Sequence, residues 1–131
     1  MVKRIAASMA LVALMMGIWY CDQEPNEIQA AHILIMYEGA ARAPEDLRRS
    51  KEEARQVAEE LLERVKAGED FQELAREYSD GPSSVNGGVL NPFGRGKMMP
   101  AFEEAAFALD KGEVSGIVET DYGFHIIKRL R

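Results

Sequence analysis

Cysteine occurs once in this chain of 131 residues, at Cys21, and histidine only twice, at His32 and His125. A single thiol closes no intrachain disulfide and builds no cysteine-based zinc site. Basic side chains are also scarce. Sixteen Lys and Arg stand against 22 Asp and Glu, a formal net charge of −6. Two of the sixteen, Lys3 and Arg4, belong to the N-terminal segment. Non-specific nucleic-acid binding needs a basic face to neutralise phosphates, so no nucleic-acid partner is expected. Internal repeats and low-complexity tracts are absent. What is present is globular in composition, 47% hydrophobic and 29% charged. The length suits one domain with a core of its own.

Residues 1–21 read as a separate object. Lys3 and Arg4 make a positive start, and Ile5 to Tyr20 follow without a charge, ending at Cys21. A bilayer-spanning helix needs about 20 residues, so this run is short for a span and suits the apolar region of a secretory signal. A cysteine directly after it resembles a bacterial lipoprotein signal, which makes Cys21 a candidate lipidation site. Trp19 and Tyr20 fit an interfacial belt on an uncleaved anchor equally well. Either reading expects the remainder to be exported and tethered to the extracytoplasmic side of a membrane. Residues 22–28, acidic and polar around Pro25, read as a linker.

Residues 29–131 then form the domain. Gln29–Met36 is an apolar run expected as the first strand, followed by a loop from Tyr37 to Arg49. Ser50 with Glu53 is a capping-box pattern, and Ala54, Val57, Ala58, Leu61, Leu62 and Val65 recur at helical spacing up to Gly68. Asp70 with Glu73 repeats the cap before a shorter helix through Phe71, Leu74, Ala75 and Tyr78. Ser79 to Lys97 is rich in Gly and Pro, a long loop expected to hold one short strand near Val89. Pro100 opens a third helix, with Phe102, Ala105, Ala106 and Leu109 on its apolar face and Gly112 as its stop. Gly116–Glu119 and Phe124–Leu130 make a terminal hairpin around Asp121-Tyr122-Gly123. The expected fold is α+β: a small four-stranded, largely antiparallel sheet flanked by three helices, in the order β-α-α-β-α-β-β.

Both histidines open apolar runs. His32 precedes Ile33-Leu34-Ile35, and His125 precedes Ile126-Ile127. A histidine in a strand is more often a satisfied core residue than a functional one. Two of them on neighbouring strands would place a pair of imidazoles on a sheet floor, able to donate or accept hydrogen bonds near neutral pH.

Strings along the chain then carry a resemblance. They include Ala31-His32-Ile33-Leu34-Ile35, Gly68-Glu69-Asp70-Phe71, Tyr78-Ser79-Asp80 and Gly87-Gly88-Val89-Leu90. Phe93-Gly94-Arg95-Gly96-Lys97-Met98, Pro100-Ala101-Phe102-Glu103 and Gly112-Glu113-Val114-Ser115 follow, and the last is Thr120-Asp121-Tyr122-Gly123-Phe124-His125-Ile126-Ile127. In this order and spacing they resemble the parvulin family of peptidyl-prolyl cis-trans isomerases, over about residues 30–130.

The resemblance implies isomerisation of Xaa-Pro bonds without a cofactor or metal. Rotation about such an amide crosses a barrier of roughly 18–20 kcal/mol because the C–N bond is partly double. A catalyst holds the proline ring, lets the carbonyl swing and favours the twisted amide over both planar forms. By position, His32 and His125 correspond to the family's paired histidines, and Thr120 to a hydroxyl in their network. Leu90, Met98 and Phe102 correspond to the apolar grip on the proline ring, and Tyr122 to its edge. An acidic residue or cysteine commonly follows the family's Tyr/Phe-Ser pair by one or two positions. Here Asp80 stands directly after Ser79 and Gly81 comes next, so Asp80 is the expected acid. The loop after the first strand mixes Arg42, Arg48 and Arg49 with Glu38, Glu45 and Asp46, which gives no phosphate cradle. The expected partners are therefore unmodified proline-containing chains, unfolded or folding. The alternative is a chaperone-like peptide-binding module of the same fold with weak or no isomerase activity. A structural domain without a groove ligand leaves the glycine-rich loop around Met98 unexplained.

Overall fold

A computed structural model describes residues 24–131. The signal or anchor expected over residues 1–21, and with it Cys21, lies outside the described residues. Among the described residues no helix is long and apolar enough to cross a membrane.

The elements are β1 (Ala30–Ile35), α1 (Lys51–Lys66), α2 (Phe71–Tyr78), a 3₁₀ turn (Pro82–Asn86), α3 (Pro100–Ala108), β2 (Val114–Thr120) and β3 (Gly123–Arg129). The sheet has the order β1-β3-β2 and both pairs are antiparallel. Its two faces are separately covered. Ala31, Ile33, Ile35, Phe124 and Ile126 point to one side and pack on Ala54, Ala58, Leu61 and Leu62 of α1 and on Phe71, Leu74 and Ala75 of α2. Ala30 and Ile127 point to the other side, against Phe93 and against Phe102, Ala106 and Phe107 of α3. Burial on both faces explains why β1 reads as an unbroken apolar run instead of an alternating one.

Local chemistry sets the helix ends. Ser50 Oγ accepts from Glu53 N at 3.0 Å while Glu53 Oε1 accepts from Ser50 N, a closed capping box. Asp70 Oδ1 accepts from Glu73 N at 3.0 Å. Each such cap stabilises its helix by about 1 kcal/mol. α3 starts on Pro100 and ends at Ala108, short of the expected Gly112, because Leu109 turns extended.

The expected fourth strand is not formed: the sheet among the described residues has three strands. Val89 makes only an isolated bridge to Ala31, held by His32 N to Gly88 O and Leu90 N to Ala30 O, each 2.9 Å. Gly87 and Gly88 precede it in left-handed conformations (φ 68° and 79°), and Pro92, without an N–H, follows. Two ladder bonds fit between those interruptions, too few for a strand. β2 in turn starts earlier than expected, at Val114, through an irregular register between Val114 and Ile117. There Ser115 Oγ replaces a ladder carbonyl and accepts from Ile127 N at 2.9 Å.

Candidate active site

In the β1–β3 register His32 sits opposite Ile127 and His125 opposite Leu34. Side chains two apart share a face, so the two histidines are diagonal neighbours on one side of the sheet. Their Nδ1 atoms are 3.0 Å apart, and the ring planes lie within 17° of each other. Phe102, from α3, presents its ring edgewise to both, with centroids 5.5 Å from His32 and 5.3 Å from His125. Thr120, the last residue of β2, brings Oγ1 to 2.6 Å from His125 Nε2. Tyr122 N donates to the same oxygen at 3.2 Å.

These contacts set the direction of the proton chain. Thr120 Oγ1 accepts from Tyr122 N–H, and among the described residues its own proton has only His125 Nε2 as acceptor. His125 then carries its proton on Nδ1 and donates to His32 Nδ1, which leaves the His32 proton on Nε2. This tautomer assignment follows from the network. Both rings are neutral near pH 7. Burial pushes His32 down to about 4. Burial, reinforced by the neighbouring His32, pushes His125 down to about 3.

A cavity of about 130 Å³ opens over this floor. Leu90, Met98, Phe102 and Tyr122 line it together with the two imidazoles and Thr120, and its wall is apolar. Pockets for drug-sized ligands run to about 300–1,000 Å³, so this one suits a single small ring. Met99 also lines it, and sequence reasoning passed it over. Its signal was its place beside Met98 and before Pro100, which forces an extended backbone there.

Asp80 is the one expected site residue that does not line this cavity. Its Oδ2 accepts from Met36 N at 2.9 Å and from Arg49 Nη1 at 2.7 Å. Asp80 N donates to Leu34 O at 2.7 Å, and Ser79 Oγ accepts from Leu34 N, so both residues are fixed in place against β1. A Cβ at Gly81 would meet Leu34, on the histidine face, at 3.6 Å. The neighbouring position therefore looks towards the histidine side, while Asp80 faces the loop of residues 37–49. That loop reaches the cavity rim at its tip: Ala41 N donates to Asp121 O at 2.9 Å, and the Arg42 guanidinium lies over the Tyr122 ring at 5.6 Å. Of its other arginines, Arg48 faces Glu38 and Arg49 faces Asp80.

The family model described as the PPIC-type PPIASE domain matches residues 15–130. The chain is 45% identical over 108 residues to the peptidyl-prolyl cis-trans isomerase pin1 of Schizosaccharomyces pombe, covering 79% of this chain and 62% of that protein. It is 46% identical over 110 residues to the foldase protein PrsA of Geobacillus kaustophilus, covering 83% of this chain and 33% of that one. Among solved structures, the peptidyl-prolyl isomerase ESS1 from Candida albicans superposes with a TM-score of 0.77 at 36% identity, over 93% of this chain and 73% of that one. The chain thus spans about a third to two thirds of the length of these curated relatives. It belongs to the parvulin-type peptidyl-prolyl isomerase family, and the family match reaches from residue 15 to residue 130.

Proposed function

We propose that this protein catalyses cis-trans isomerisation of Xaa-Pro bonds in exported proteins and so assists their folding outside the cytoplasmic membrane. The observation that carries this reading is the apolar cup floored by the neutral His32–His125 pair. Leu90, Met98 and Phe102 grip the pyrrolidine ring, and Tyr122 borders it. The imidazole chain, oriented by Thr120, holds fixed dipoles beneath the rotating amide. Preorganised dipoles cost no reorganisation as the amide twists, and each 1.4 kcal/mol of preference for the twisted form is worth about a tenfold rate. Asp80 acts one step removed, clamping the base of the 37–49 loop through Arg49.

Unmodified substrates suit the rim, since Arg48 and Arg49 already face carboxylates. Export rests on the positive start and uncharged run of residues 3–20 and on the similarity to a protein named as a foldase. Lipidation at Cys21 would appear in the mass of the mature N-terminus; a chain still beginning at Met1 leaves an uncleaved anchor instead.

A second reading, a peptide holder with little turnover, draws on one observation: Gly81 stands where family members often carry an acid or thiol, and Asp80 points elsewhere. A peptide isomerisation assay across Xaa-Pro sequences, with and without phosphate, separates the two. The enzyme gives turnover that falls in Phe102→Ala; the holder binds the peptides without accelerating them.

A further inference from the structure

Residues 24–28 read as a linker in sequence, yet they lie along the stretch that leads into the cup wall. Ile28 and Phe93 exchange two backbone hydrogen bonds, of 3.0 and 2.9 Å. Next, Asn26 O approaches the Gly94 backbone so closely that a Cβ on Gly94 would stand 2.9 Å from it. Beyond that, both carboxylate oxygens of Glu24 accept from the Arg95 guanidinium, with Arg95 Nε to Glu24 Oε2 at 2.8 Å. The partners 28–93, 26–94 and 24–95 run in opposite directions, as two antiparallel segments do.

Arg95 joins this contact to the cup. Its Nη1 donates to Glu103 of α3 at 3.4 Å, and its guanidinium lies over Phe107 at 4.5 Å. Glu103 adjoins Phe102 in sequence, and its other oxygen accepts from Gly96 N, two residues before Met98. The bidentate pair draws Glu24 below the usual carboxylate range and Arg95 above its own.

We infer that residues 24–28 are a strap, with Glu24 and Arg95 as positioning residues that seat the Phe93–Met99 stretch and so set how firmly the cup grips proline. This rests on the isomerase reading for its kinetic readout, while its structural readout stands apart from it.

The test uses the full chain and the variants Glu24→Arg, Gly94→Ala and the exchanged pair Glu24→Arg with Arg95→Glu. Two quantities are read: KM and kcat on an Xaa-Pro peptide at low salt, and amide hydrogen exchange at residues 96–99. Exposed pairs of this kind are modest, so Glu24→Arg should raise KM about two- to fivefold with kcat little changed. Exchange at residues 96–99 should quicken in Glu24→Arg and Gly94→Ala, and the exchanged pair should recover both quantities in part. Added salt should move the wild-type KM towards that of Glu24→Arg. Unchanged exchange in both single variants overturns the strap. Faster exchange with unmoved KM overturns its coupling to the cup. A wild-type chain without turnover defeats the isomerase reading instead, and the exchange data still decide whether the strap exists.

Discussion

His32 and His125, 93 positions apart in sequence, meet Nδ1 to Nδ1 at 3.0 Å on the floor of an apolar cavity. Two donors cannot face each other across that distance, so the contact requires an acceptor nitrogen on one ring. The contact therefore excludes the doubly protonated pair, and burial keeps both rings neutral. Thr120 at one end selects the direction in which its protons point.

Stability should carry the mark of that neutrality. In the unfolded chain both imidazoles titrate near 6.5, whereas in the fold they lie near 4 and 3. Between those values the unfolded chain binds more protons, so stability rises with pH across this window. The contribution is complete above about pH 6.5 and is lost as pH falls towards 4. The His32 shift alone corresponds to roughly 3 kcal/mol. Urea unfolding at pH 7.5, 6 and 5 should show a falling midpoint, while NMR of the folded protein shows no imidazole titration over the same range.

Thr120→Val keeps the shape of the side chain and removes the donor to His125 Nε2. A buried acceptor left without its partner costs about 1–3 kcal/mol, and the rings become free to exchange tautomers. kcat/KM should drop about tenfold, a loss of 1.4 kcal/mol in transition-state stabilisation. Thr120→Ser should restore most of it. Nitrogen-15 shifts of the two imidazoles report the tautomer directly; unchanged shifts in the valine variant would contradict the assigned direction.

Asp80→Ala should damage the 37–49 loop more than the chemistry. The substitution strips Met36 N and Arg49 of an acceptor, a cost of about 1–3 kcal/mol. Faster proteolysis within residues 37–49 is expected, with kcat reduced by less than about tenfold. Abolished turnover in a folded Asp80→Ala protein would return Asp80 to a direct catalytic role.

How much of this was legible depended on how local the cause was. The capping box at Ser50, the N-cap at Asp70 and the apolar spacing behind them are local, and α1 and α2 formed where they pointed. His32 and His125 were legible because each opens an apolar run inside a strand, and strand pairing keeps diagonal residues on one face. The fourth strand was not, because Val89 has strand-like neighbours but a ladder is decided by the partner, and Gly87, Gly88 and Pro92 confine that ladder to two bonds. Asp80 was misplaced for a similar reason: one position decides which side a residue faces, and only the hydrogen bonds to Leu34 settle it. Residues 24–28 looked like a linker because Pro25 and the acidic composition say nothing of a distant Arg95.

Gly88 offers a check on the short bridge beside β1. Its φ is 79°, and a Cβ there would stand 2.3 Å from His32 O. Gly88→Ala should destabilise by about 1–3 kcal/mol from backbone conformation alone, with the clash in addition. Thermal unfolding measures it; a wild-type midpoint would mean that the bridge to His32 does not constrain this residue.

The most direct measurement is the refolding rate of a protein limited by prolyl isomerisation, with this chain added in catalytic amounts. Refolding should accelerate in proportion to the added chain, and His32→Ala, checked to be folded, should lose most of that acceleration. Acceleration only at stoichiometric amounts, or full catalysis by folded His32→Ala, would contradict catalysis by the cup and its imidazole floor.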